Sequence, residues 1–297
     1  MLLSPKYRSW PPVLFLLVVG CSRPEPAEPV ATVQVNLSND SLPFPEWRTV
    51  GLTWHPTAPL DVDGQPSVFL HLLDGAGELV RTFDHPLPSP WEIGGDLQYE
   101  VEIYQSGLGA PLAPGEYELV LGLYGAGKQR WPLSIAGATE RPRWEYSVAR
   151  VEVPAVGADS PAFEFPAPWS PLEPGSDLQV LGRRWLSGNG AIEVENLEVP
   201  GTVKLRVAVP AGGSDAAGWE FRRGEEAPVL EVSSTCSGTV RSLEVPGTFE
   251  VVLPVFPAGE DLSCELRFLA NYELVHGSTQ ERRTLALEIL SWTAAQL

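Results

Sequence analysis

Apolar and polar residues alternate with a period of two along most of this chain. Glu100 and Glu102 separate Tyr99, Val101 and Ile103, while Tyr117, Leu119, Leu121 and Leu123 share a face opposite Glu116 and Glu118. In the second half, Val203, Leu205, Val207 and Val209 alternate with Lys204 and Arg206. Phe249, Val251, Leu253 and Val255 follow the same rule, as do Leu266 and Phe268 around Arg267, and Leu285, Leu287 and Ile289 around Glu288. Successive side chains of a strand point to opposite faces, so each run predicts a strand with one buried and one wet side. Two antiparallel sheets packed face to face bury such strands, and no stretch carries convincing helical periodicity. The expected fold class is all-β, with two tandem antiparallel β-sandwich domains, immunoglobulin-like or jelly-roll-like.

Proline and glycine punctuate the pattern. With 30 Pro and 28 Gly they make up roughly a fifth of 297 residues, yet 43% of the chain is hydrophobic. That balance predicts short strands joined by tight turns around well-filled cores rather than disorder. Residues 22–30, SRPEPAEPV, are too rich in Pro and Glu to pack and predict an extended tether. A second proline-rich stretch, 154–176, is expected to be the linker between a first sandwich over 31–153 and a second over 177–297. One internal echo occurs: Leu197–Thr202 and Leu243–Thr248 both read Leu-Glu-Val-Pro-Gly-Thr and both lead into an alternating run. Pro-Gly suits the centre of a type II turn, with Gly at positive φ, so two similar strand–turn–strand units are expected in the second sandwich.

The start of the chain supplies an address. Lys6 and Arg8 precede an apolar run from Val13 to Val19 that is far shorter than the ~20 residues of a membrane-spanning helix. The run ends in Val18-Val19-Gly20-Cys21, which resembles the lipobox of bacterial lipoproteins. The resemblance implies a signal peptide over 1–21, cleavage before Cys21, acylation of that cysteine and an extracytoplasmic protein tethered to a membrane of the cell envelope. The formal charge is −18, and losing the first 21 residues removes Lys6, Arg8 and no acid. So acidic a surface repels phosphates, which argues against nucleic-acid partners. With Cys21 assigned to lipid, Cys236 and Cys264 remain; both fall in predicted strands, and in an oxidising compartment either a disulfide or two separate buried thiols fits.

The first half also resembles the small β-sandwich module appended to bacterial membrane glycosyltransferases that act on lipid-linked sugars. The resemblance rests on Ser67–Asp74 (SVFLHLLD), Gly77–Val80, Asp84-His85-Pro86, Trp91, Gly95-Asp96 and Leu112–Tyr124 (LAPGEYELVLGLY), in that order, and spans about residues 45 to 135. It implies a β-sandwich and brings no catalytic residue; the multispanning membrane domain of those enzymes has no counterpart in this sequence. The second half resembles, more weakly, another envelope-protein sandwich through Arg184-Trp185, Ala191-Ile192 and Arg282–Leu287.

Candidate chemistry is sparse. There are four histidines, no Gly-x-Ser-x-Gly turn, no His-Glu-x-x-His and no Cys-x-x-Cys, so neither a catalytic centre nor a metal or other cofactor is implied. Asp61-Val62-Asp63-Gly64 reads as a solvated turn rather than a calcium loop, since the downstream ligands of an EF-hand are missing. Asp84, beside His85, is either a turn carboxylate accepting backbone N–H bonds or a polar contact to a ligand or a partner domain. Trp91 and Trp131 lie in or beside predicted loops, Trp169 in the linker and Trp219 in a charged hairpin. They are candidates for a carbohydrate platform, to be told from core indoles by two or more coplanar rings on an open face. The functional expectation is a non-catalytic envelope lipoprotein that acts as a structural or protein-interaction module; its alternative is a carbohydrate-binding lipoprotein recognising surface polysaccharide.

Overall fold

A computed structural model describes residues 27–60, 65–158, 160–173, 182–211, 219–224, 226–256 and 262–294. Strands follow the alternating runs, and among the described residues there is no α-helix, only a 3-10 turn at Ala126–Lys128. The first body stacks two sheets. One orders Leu97–Tyr104, Trp47–Pro56, Ala31–Leu37 and Leu133–Ile135; the other orders Thr139–Arg141, Glu145–Val153, Gly115–Tyr124, Ser67–Leu73 and Leu79–Thr82. Pairing is antiparallel except where Ala31–Val33 runs parallel to Leu133–Ile135. Trp54, Leu70, Leu72, Ile103 and Leu119 fill the core between the sheets.

The second body is built the same way. One sheet orders Ala162–Glu164, Gly190–Glu195, Cys264–Ala270, Val229–Ser234 and Val240–Glu244; the other orders Arg184–Leu186, Leu285–Ala294, Gly201–Val209 and Gly247–Val255. A small third sheet joins Trp219–Arg223, Tyr272–His276 and Arg282–Arg283. The stretch read as a linker is partly structural, for it supplies the edge strand Ala162–Glu164 and the indole of Trp169, which sits in the second core with Phe268. The Leu-Glu-Val-Pro-Gly-Thr echo marks two equivalent corners. In each copy the chain leaves a strand of one sheet and enters a strand of the other, not a hairpin closed by a type II turn. Gly201 is needed there for closeness rather than for positive φ, because a Cβ would lie 2.3 Å from the indole nitrogen of Trp292.

One departure from strict alternation matters. Leu285 and Leu287 face the second core as expected, but Ile289 does not; Leu290 and Trp292 take over. The cause is a shift of register against the neighbouring strand: Arg206 pairs with Ile289 while Val207 pairs with Leu287, which leaves Glu288 as an extra residue. A bulge of this kind reverses the inward and outward sides of everything beyond it.

The two bodies are docked against one another. Arg184–Leu186 reaches along the strand Leu285–Ala294 as far as Leu287, so the longer strand runs on past its partner with an open edge. Loops of the first body close that edge. Gly107 donates to the carbonyl of Leu290 (2.7 Å), Leu290 donates to Ser106 Oγ (3.3 Å), and Trp292 donates to the carbonyl of Pro45 (3.0 Å). Gly107 has no room for a side chain, since its Cβ would meet Leu290 and Phe163 at 2.7 Å. Buried Gln105 pins the loop, with Nε2 donating to Leu42 O and Oε1 accepting from Leu112 N. Leu108 follows and is counted in the second body's core although it belongs to the first body's sequence. Burying such a leucine is worth about 1.5–3 kcal/mol. Leu108→Ala is therefore expected to destabilise the protein by about 2–5 kcal/mol, seen as a lower urea midpoint; an unchanged midpoint would show that the loop merely rests on the second body.

Candidate functional site

The docking leaves a cleft of about 660 Å³ between the bodies. Its first wall comes from Thr82–His85, between the edge strands Leu79–Thr82 and His85–Pro86, and from Tyr99–Glu102 and Tyr104 on the neighbouring sheet. The second wall carries Lys204, Arg206 and Glu250, with Glu288, Ile289 and Ser291 presented by the bulged strand. Past the bulge, residues 289 and 291 lie outside the second core, opposite Arg206 and Lys204 in register. Lys204 bridges the walls: its Nζ lies 2.5 Å from both carboxylate oxygens of Glu102 and 3.8 Å from Glu250, above the ring of Trp47. Arg206 pairs with Glu250 at 3.1 Å.

Asp84 is the centre of a polar cluster on the first wall. Its Oδ1 lies 3.0 Å from His71 Nε2 and accepts a long bond from the Leu70 amide (3.4 Å). Its Oδ2 accepts from the Tyr124 hydroxyl at 3.4 Å. It takes a backbone N–H, as a turn carboxylate does, and it lines the cleft. His85 Nδ1 donates to the carbonyl of Phe83 (2.9 Å), which leaves Nε2 to accept from the Tyr99 hydroxyl (3.0 Å). Burial lowers the pKa of His85, opposed by the Phe83 carbonyl and by Asp84. Burial raises both tyrosines, Tyr99 well above the ordinary phenol range and Tyr104 to about 12, so both hydroxyls remain protonated donors.

Two further hydroxyls stand out. Thr82 Oγ1 and Ser291 Oγ, one on each wall, are buried and have no hydrogen-bond partner. Neither is therefore held by a base, as an activated nucleophile would be. These two, with Lys204 and Arg206, escaped the sequence reading. They carry no motif, and their relevance arises only from bringing together strands about a hundred or more residues apart.

The remaining expected sites fall elsewhere. Cys21 and Asp61–Gly64 lie outside the described residues. Cys236 and Cys264 are joined by a disulfide, their Cα atoms 5.6 Å apart. Trp131 is buried in the first core, and Trp91 is half-buried, edge-on to Trp54 with its indole N–H donated to Ala58 O (3.0 Å). Trp131 therefore offers no open indole face to a sugar. The coplanar pair that does form, Trp185 on Trp219 at 5.6 Å and 24°, is buried and covered by the Arg283 guanidinium, 4.5 and 5.0 Å from the two rings. On another surface the exposed carboxylates of Glu164, Glu193 and Glu195 gather within 4.8 Å. Elsewhere His55 pairs with Asp96 on the surface, and His276 is bonded to Ser278 in its own turn.

No known protein family matches this chain, and no curated protein matches it. Solved structures similar to parts of it include the CARDB domain of a Pyrococcus furiosus protein, at 10% identity over 42% of this chain and 93% of that domain, with a TM-score of 0.26. A Listeria innocua β-glucosidase is similar at 15% identity over 42% of this chain and 16% of its own, with a TM-score of 0.25. A Bacteroides uniformis β-glucuronidase is similar at 10% identity over 88% of this chain and 30% of its own, with a TM-score of 0.27. The chain thus spans under a third of either glycosidase, and at these scores none of the likenesses bears on the site.

The lowered pKa of His85 makes a pH prediction. The unfolded chain takes up this proton first, near pH 6.5, so the stabilisation is complete above that value and is lost as pH falls through the folded one. Thermal melts of the native protein are expected to drop between about pH 7 and 5.5, and His85→Gln is expected to flatten that drop. Parallel curves would place the acid sensitivity in other groups.

Proposed function

We propose that this protein is a non-catalytic module of the bacterial cell envelope, tethered through lipid on Cys21, whose two sandwiches act as one rigid body that docks another envelope protein. The observation that carries this reading is the closed joint: Pro45, Ser106, Gly107 and Leu108 fasten the first body to the open edge and core of the second. A pair of loosely strung domains has no fixed shape to offer a partner, whereas a locked pair presents one surface across both. The strongly acidic composition keeps such a body soluble and turns it away from anionic surfaces. The absence of a base on Thr82 or Ser291 supports binding over catalysis.

A second reading, carbohydrate recognition, is favoured by one observation, the cleft itself, and no longer by the tryptophans. Its walls combine aromatic rings, carboxylates and unpartnered hydroxyls, the groups that polyhydroxylated ligands engage.

Two measurements test the tethered docking body. Cys21→Ala is expected to move the protein from the membrane to the soluble fraction, and continued sedimentation with membranes would remove the tether. Crosslinking in intact envelopes is expected to capture one defined protein with the native chain and markedly less with Leu108→Ala, whose joint is loosened. Equal capture by both would dissociate docking from the rigid joint.

A further inference from the structure

The cleft draws its lining from both bodies. At about 660 Å³ it falls in the size range of small-ligand sites. Its charge excludes one class of occupant. Five carboxylates (Asp84, Glu100, Glu102, Glu250 and Glu288) face two cations, and both cations are already engaged, Lys204 with Glu102 and Arg206 with Glu250. A phosphate, sulfate or uronate entering here finds an acidic lining and no uncommitted positive group.

A cationic ligand is also poorly served. Glu102 and Glu250 are held by the two basic side chains, Asp84 takes the Leu70 amide and the Tyr124 hydroxyl, and Glu100 is at the solvated rim, where ion pairs gain little, which leaves a cation Glu288. What the interior does offer is neutral hydrogen bonding. Thr82 Oγ1 on one wall and Ser291 Oγ on the other are buried and unpartnered, an arrangement native proteins avoid unless a ligand or water completes it. The Tyr104 hydroxyl stays protonated, and Phe83 packs edge-on to Tyr104 to give the wall an apolar face. Glu288, carried into the cleft by the bulge, supplies acceptor oxygens to pairs of hydroxyls.

We infer that the cleft binds an uncharged, hydroxyl-rich ligand, a segment of neutral glycan, with Thr82 and Ser291 completing their hydrogen bonds on it. This rests on the carbohydrate reading above and moves it from the indoles to the joint between the bodies.

The test uses the full chain on an array of neutral glucans, galactans and mannans, with sulfated and uronic counterparts and decalysine alongside. Binding to at least one neutral glycan is expected, with no preference for its acidic counterparts and no displacement by decalysine. The double variant Thr82→Val, Ser291→Ala is expected to bind about tenfold more weakly or worse. The same variant is expected to melt a few degrees higher, because it removes two buried hydroxyls that lack partners in the free protein. A residue pair with only a structural role would not show weaker binding together with greater stability. Silence across the neutral glycans, preference for acidic ones, displacement by decalysine, or undiminished affinity in the double variant would each overturn the inference. Capture of the envelope protein partner by the double variant is expected to be unchanged, which separates failure here from failure of the docking body.

Discussion

A strand that outruns its partner sets the geometry of this molecule. Leu285–Ala294 is paired on one side along Gly201–Val209, but on the other side its pairing with Arg184–Leu186 stops at Leu287. Backbone groups left buried and unpaired beyond that point cost about 1–3 kcal/mol each. Pro45, Ser106 and Gly107 satisfy them, and those three come from two different loops of the first body. Two attachment points along one strand fix an orientation as well as a contact. Leu108, seated in the neighbouring core, adds an apolar anchor to the polar ones. Covering an exposed edge in this way also removes a template for unwanted strand pairing.

The cleft is a by-product of that attachment. Its two walls belong to sheets of different bodies, and Lys204 reaches across to the Glu102 carboxylate to span them. The aromatic cluster around Trp185 and Trp219 shows the opposite use of similar groups. There Arg283 lies over Trp185 and Trp219 and pairs with Glu173 and Glu281, so that cation, indoles and carboxylates satisfy one another. That cluster fastens the small third sheet, whereas the cleft keeps buried hydroxyls without partners.

Much of the fold was legible because a period of two is a local signal. The runs around Tyr99–Ile103, Val203–Val209 and Phe249–Val255 all became strands with the inner side chains expected. The reversal at Glu288 was not legible, since nothing in Leu-Glu-Ile-Leu says whether a bulge will let Ile289 or Leu290 face inward; the pairing partner decides. The tryptophans stayed open between core and platform for a related reason. Sequence neighbours place Trp131 and Trp169 near turns, but a turn residue with a large apolar ring is drawn into whichever core lies within reach. Of the site, Asp84 and His85 were visible as a polar pair in an apolar context. Thr82, Ser291, Lys204 and Arg206 were not, because each is an ordinary outward residue until a second body is set against it.

The extra residue at Glu288 has an implication for how such molecules diverge. Were the bulge ironed out with every residue kept, Leu205 would pair with Ile289, which would rotate inward, while Leu290 and Trp292 would turn outward and their backbone groups would no longer meet the loops waiting for them. The cores could each survive, but the hinge would be free. Whether a tandem sandwich behaves as one solid object or as two swivelling beads is thus decided in this architecture by whether a single residue is bulged out of a ladder or taken into it, a smaller step than rebuilding an interface.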